Sequence, residues 1–138
     1  MGTAGAEQRR DRHRPAEFTI GLPPKHQLSE LRAWLRDLLA DEPAELLIDV
    51  ELAATELVTN AYEHTGLLLA VRVSRPADRP VLRVEVDDGA PDRPPRPGTS
   101  TRGGFRGRGL LMVDGISSRW GVDQGKDRKT VWAEIPLR

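Results

Sequence analysis

Cysteine is absent from the 138-residue chain. That excludes a disulfide framework, a thiol nucleophile and any cysteine-ligated metal. No apolar run approaches the ~20 residues needed to cross a bilayer, so no membrane partner is expected. The arginines of the opening MGTAGAEQRRDRHRP have no apolar stretch behind them, which is not the make-up of a secretory signal. These absences point to the cytoplasm. An excess of charge of one sign is missing as well: 21 lysines and arginines balance 21 aspartates and glutamates. A general nucleic-acid binder held by phosphate neutralisation is thereby disfavoured, and no direct nucleic-acid partner is expected.

What is present suffices for one domain with a sheet-and-helix core. Residues 1 to about 14 are polar and charged and read as a disordered tail, which leaves 15–138 as the folded domain. Glu17 to Ile20 is expected to form a short strand, stopped by Pro23 and Pro24. Ser29 reads as the N-cap of a helix to about Ala40, with Leu28, Leu31, Leu35 and Leu38 on one face and Trp34 and Leu39 extending it. Asp41-Glu42-Pro43 reads as the start of a second helix, to about His64, with Gly66 as its stop. Leu47, Val50, Ala54, Leu57, Val58 and Ala61 share one side of it.

Residues 67–75 and 81–88 are strand-like and are joined by a turn from Pro76 to Pro80, as in a hairpin. In the second of them Leu82, Val84 and Val86 alternate with Arg83, Glu85 and Asp87. Residues 89–106 hold several prolines and glycines and no periodicity, and loops of that length in small domains are usually functional lids or disordered segments. A short helix over 109–116 and a closing hairpin over 119–122 and 129–135 complete the order. The expected fold class is α+β: a two-layer sandwich with helices on one face of a mainly antiparallel or mixed sheet.

Three stretches carry chemistry. In ELVTNAYEHT (56–65), Glu56, Asn60 and His64 recur every fourth residue and border the apolar arc of Val50, Leu57 and Ala61. A carboxylate near an amide oxygen suits Mg²⁺, which prefers oxygen ligands and keeps several waters when phosphates supply the rest. In VEVDDGAP (84–91), Asp88 keeps the parity of Leu82, Val84 and Val86 and so points inward, where a carboxylate needs a donor such as an exocyclic amine. A plain Asp-Gly turn is the alternative reading of that stretch. In GGFRGRGLLMV (103–113), four glycines let backbone N–H groups approach an anion just before a helix. Neither a P-loop nor a dinucleotide fingerprint fits it. Arg93, Arg96, Arg102, Arg106 and Arg108 cluster in and before it.

In this order, the three stretches resemble the Bergerat-type ATP-binding fold shared by gyrase, the Hsp90 chaperone, histidine kinases and MutL. Glu56-Leu-Val-Thr-Asn60-Ala is similar to its N box, Val86-Asp-Asp-Gly-Ala90 to its first glycine box, and Gly107-Arg-Gly-Leu110 to its second. Within that superfamily ELVTNA, GRGL and KTVWAEI resemble the actinobacterial ATP-binding regulators similar to anti-sigma factor serine/threonine kinases. The resemblance spans about residues 17–138.

It implies ATP and Mg²⁺ as cofactors. Glu56 would be the general base, Asn60 would hold Mg²⁺ and the phosphates, and Asp88 would read the adenine amine, with Ala90 in the same box and Asp87 as the alternative reader. Gly107, Arg108, Gly109 and Leu110 would meet the phosphates with backbone N–H groups, Arg102, Arg106 or Arg108 would neutralise phosphate charge, residues 92–106 would form the lid, and Thr130 would lie near the adenine. The implied activity is transfer of the γ-phosphoryl group to a serine or threonine of a small antagonist protein, with a sigma factor as a sequestered partner and a homodimer as the assembly. Ala90 and Asp92 stand where the family has glycines, which favours the rival reading of a nucleotide-gated adaptor without turnover.

Overall fold

Alternation builds the middle of the sheet. Leu82, Val84 and Val86 lie on one face of β3 (Val81–Asp88), and all three are buried. A two-residue period puts every second side chain on the same face, so one apolar set is delivered to one side. β3 pairs antiparallel with β2 (Leu69–Ser74), which pairs antiparallel with β1 (Ala16–Ile20). On its other side β3 pairs with β5 (Lys129–Pro136), and β5 with β4 (Arg119–Gln124), again antiparallel. The five-stranded sheet has the order β1-β2-β3-β5-β4. The computed structural model describes residues 15–20, 27–65, 69–88, 111–125 and 129–137, with the side chains of 63–65 and 69 outside the description. The expected tail over 1–14, the stop at Gly66 and the loop over 89–106 lie outside these residues.

Two helices cover one face of the sheet. α1 (Leu28–Leu38) buries Leu31 and Leu35, and its next residue in that row, Leu39, is buried as well. Leu38 is 41% exposed, against the expectation, because the row 31, 35, 39 advances by four and leaves position 38 to its side. The helix begins at Leu28, so Ser29 sits inside the first turn; the carbonyl of Gln27 accepts the Leu31 N–H at 2.9 Å. α2 (Ala44–Thr65) starts behind Pro43, whose carbonyl accepts from the N–H groups of Leu46 and Leu47. Val50, Ala53, Ala54, Leu57, Val58 and Ala61 recur at helical spacing and are all buried. α2 lies against β2, β3 and β5. A helical turn over 111–116, α3, adds the buried Val113 to the same core. The architecture is α+β, with helices packed on an antiparallel open sheet. Among the described residues no helix is long and apolar enough to cross a membrane.

The opposite face is polar without being bare. Glu134 is fully buried there, accepting from Arg79 Nε at 3.0 Å and from Arg83 Nη1 at 3.0 Å. The Arg83 guanidinium also lies 4.2 Å from the ring centroid of Trp132, on whose ring Arg119 sits at 5.5 Å. Gly121, the cross-strand partner of Trp132, gives that ring its room: a Cβ there would come within 2.8 Å of Trp132 Cζ2. Arginine stems thus shield the outer strands while their heads pair. The Arg79 hydrogen bond, with that of Arg83, holds the Glu134 carboxyl below the usual glutamate range.

A depressed folded-state pKa stabilises the protein above the unfolded value of about 4.3 and is lost as pH falls through the folded value. Glu134→Gln is therefore expected to cost about 1.5–3 kcal/mol near neutral pH. Urea unfolding at pH 6 and at progressively lower pH checks it: the gap between wild type and variant narrows as Glu134 takes up its proton.

Candidate functional site

The site is built where β3 ends. Asp88 keeps the inward parity of Leu82, Val84 and Val86, and its side chain is completely buried. Its cross-strand partner is Lys129, the first residue of β5, so both side chains share the helix-covered face. Lys129 Nζ lies 3.0 Å from Asp88 Oδ2, with side-chain exposures of 2% and 0%. By its distance this is an ion pair, and Coulomb attraction between two groups so far out of water is strong.

Asp87 faces the other way. Arg72 donates to both of its carboxylate oxygens, through Nη1 to Oδ2 and through Nη2 to Oδ1 at 2.9 Å. The Thr130 hydroxyl donates to Asp87 Oδ1 at 2.6 Å. Asp87 in turn, ahead of Glu85, holds the Arg72 guanidinium above its usual range. Of the two neighbouring aspartates, only Asp88 lies on the core side. Thr130, expected near the adenine, is the register partner of Asp87 and lies on the opposite face from Asp88. The β5 residue beside Asp88 is Lys129. The inward parity of Val131, Ala133 and Ile135 runs back to position 129 and is the signal that finds it.

α2 supplies the second wall. Glu56 and Asn60 are one turn apart and both half-buried, at the edge of the stripe formed by Ala53, Leu57 and Ala61. The Asn60 Oδ1 atom is buried with no hydrogen-bond partner among the described residues. A buried amide oxygen left without a donor is costly, and a hard cation satisfies such an oxygen. Glu56 makes no ion pair among the described residues. His64 belongs to α2, with its side chain outside the description. Among the described residues no group of three His, Asp or Glu gathers to hold a metal. A cation here would rest on Asn60, water and a bound phosphate, which is how Mg²⁺ is commonly held in nucleotide sites.

The third stretch is described only from residue 111 onward. Ala90, Arg106, Gly107, Arg108, Gly109 and Leu110, together with the expected lid over 92–106, lie outside the described residues. α3, which follows them, is tied down by Val113 in the core and by a hydrogen bond of 3.0 Å from Trp120 Nε1 to Asp114 Oδ1. Leu111 and Met112 are exposed.

Comparison with known proteins agrees with this architecture. The family described as the histidine kinase-like ATPase domain matches residues 23–135. Among solved structures, the RsbU and RsbW domains of Rv1364c from Mycobacterium tuberculosis superpose with a TM-score of 0.63 at 21% identity, over 90% of this chain and 32% of that one. This chain therefore spans about a third of that protein. A chain of the SiaB–SiaC complex from Pseudomonas aeruginosa superposes with a TM-score of 0.60 at 16% identity, over 96% of this chain and 97% of that one. Both likenesses are of fold. No curated protein matches the sequence.

Proposed function

This chain belongs to the histidine kinase-like ATPase domain family, and we propose that it binds ATP with Mg²⁺ and transfers the γ-phosphoryl group to a serine or threonine of a small partner protein. The observation that carries the reading is the placement of Asp88: a fully buried carboxylate at a strand end, on the face covered by the helix that bears Glu56 and Asn60. An acceptor in an apolar slot suits the exocyclic amine of adenine. Asp88 would accept that amine, Asn60 would hold the Mg²⁺ through its buried oxygen, and Gly107 to Leu110 would offer backbone N–H groups to the phosphate chain. Magnesium, when bound, supplies charge neutralisation at the triphosphate.

Glu56 acts on the attacking group. Its carboxylate takes the hydroxyl proton of the partner's serine or threonine while that oxygen bonds to the γ-phosphorus. The bond from the γ-phosphorus to the bridging oxygen breaks, and ADP leaves. Such transfers ask the protein chiefly for positioning and charge stabilisation. A protein partner is supported by the SiaB–SiaC structure, in which a chain of this fold is part of a two-protein complex. An antagonist of an anti-sigma factor fits that role, with a sigma factor as a second, sequestered partner and a homodimer as the assembly.

A nucleotide-gated adaptor that binds ATP without turnover is the second reading. Ala90 and Asp92, in place of glycines ahead of the lid, favour it, since an aspartate near the phosphates is repulsive. Two measurements separate the possibilities. Mg-ATP at ~100 times its Kd should add ~2.7 kcal/mol of stability, read as a melting temperature several degrees higher. No rise at any concentration would remove ATP from the account. With binding secured, labelled ATP transfers label to a partner only if the chain is a kinase.

A further inference from the structure

Stability does not explain the presence of the Asp88–Lys129 pair. Bringing a carboxylate and an ammonium to 0% and 2% exposure strips both of water. Replacing such a pair by well-packed apolar residues is often neutral or stabilising. On the polar face of the same sheet, by contrast, charged pairs keep arginine heads partly in water. The carboxylate already has a function in the reading above. The lysine has none there.

We infer that Lys129 is a second base-reading residue, its ammonium donating to the adenine ring nitrogen that lies next to the amine accepted by Asp88. The inference rests on the reading that ATP binds at Asp88. Register makes the two side chains cross-strand neighbours on one face, and their charged atoms stand 3.0 Å apart. A carboxylate only accepts and an ammonium only donates, so the pair presents an acceptor beside a donor. Adenine presents the complement on adjacent atoms: the amine donates and ring nitrogen N1 accepts. Guanine reverses both, with a carbonyl in place of the amine and an N–H in place of the accepting nitrogen. A carboxylate alone tests only the first of these positions. The pair tests both, and a charged donor makes the second contact strong.

Changing a ligand atom tests this without depending on a variant's folding. Titration calorimetry on the full chain compares ATP with 1-deaza-ATP, in which N1 is a C–H and the amine is kept. Wild-type protein is expected to bind the analogue at least about tenfold more weakly, the effect of losing a hydrogen bond to a charged group. Lys129→Met should weaken ATP and bind the two nucleotides alike. Lys129→Gln, uncharged but still a donor, should keep part of the preference, and it stands in if the methionine variant does not fold. Equal affinity of wild type for both nucleotides overturns the inference, as does a wild-type preference retained by either variant. If ATP itself fails to bind, the nucleotide reading falls and this inference with it; tight ATP binding with no loss on removing N1 sinks the role of Lys129 alone.

Discussion

Asp88→Asn is expected to abolish the rise in melting temperature produced by Mg-ATP and to cost about 3–5 kcal/mol of folding stability without nucleotide. Two effects follow from one atom change. The amide keeps the shape of the carboxylate but loses its charge, so the adenine amine meets a weaker acceptor and a competing NH₂ group. The same change takes one charge out of a pair whose side chains are 0% and 2% exposed, where the remaining charge has little water to recover. The two effects separate in a double variant. Asp88→Asn combined with Lys129→Met removes both charges, and most of the lost stability is expected to return, because neutralising a whole buried pair is close to neutral. The ATP-dependent rise is expected to stay absent. Urea unfolding of the four proteins, with and without Mg-ATP, reads all of this. A single variant as stable as wild type and still stabilised by ATP would mean that Asp88 neither anchors the lysine nor reads the base.

Glu56→Gln is expected to act on turnover alone. Loss of a positioned general base lowers phosphoryl transfer by about 10²–10⁴-fold. Glu56 is half-buried and makes no ion pair among the described residues, so the change in stability should stay within about 0.5 kcal/mol. The ATP-dependent rise in melting temperature should also persist, since in the proposed reaction the carboxylate acts on the attacking hydroxyl and not on the base. Single-turnover transfer of labelled phosphate to the partner measures the rate, and a thermal shift on the same preparation measures binding. Transfer at the wild-type rate with ATP bound would strip Glu56 of its role. Absence of transfer in both proteins, with ATP bound to both, would favour the adaptor.

Much of the architecture was open to reading because its signals are local. Leu82, Val84 and Val86 alternate within one strand, and Asp88 inherits their parity, so its inward position follows from a period of two. The helical row through Val50, Ala54, Leu57, Val58 and Ala61 is just as local, and all five are buried. Leu38 and Leu39 show the limit: adjacent leucines at a helix end are separated only by how the helix rests on the sheet, which buries the second and exposes the first. Glu134 shows another. Its neighbours in sequence do not reveal a buried carboxylate, because the guanidiniums that satisfy it come from positions 55 and 51 residues away. Lys129 shows a related limit, since its place beside Asp88 comes from cross-strand register. A charged residue at the start of a strand reads as solvent-facing until a carboxylate is known to lie across from it.

Sequence alone determined the class of the fold, the helix edge that carries Glu56 and Asn60, and the aspartate that turns inward, since each depends on spacing along one element. Only the tertiary structure decided what stands beside that aspartate. Cross-strand register is a relation between two strands, and it set Lys129 against Asp88 and Thr130 against Asp87. A shift of one residue would have broken both pairings, because successive side chains of a strand point to opposite faces.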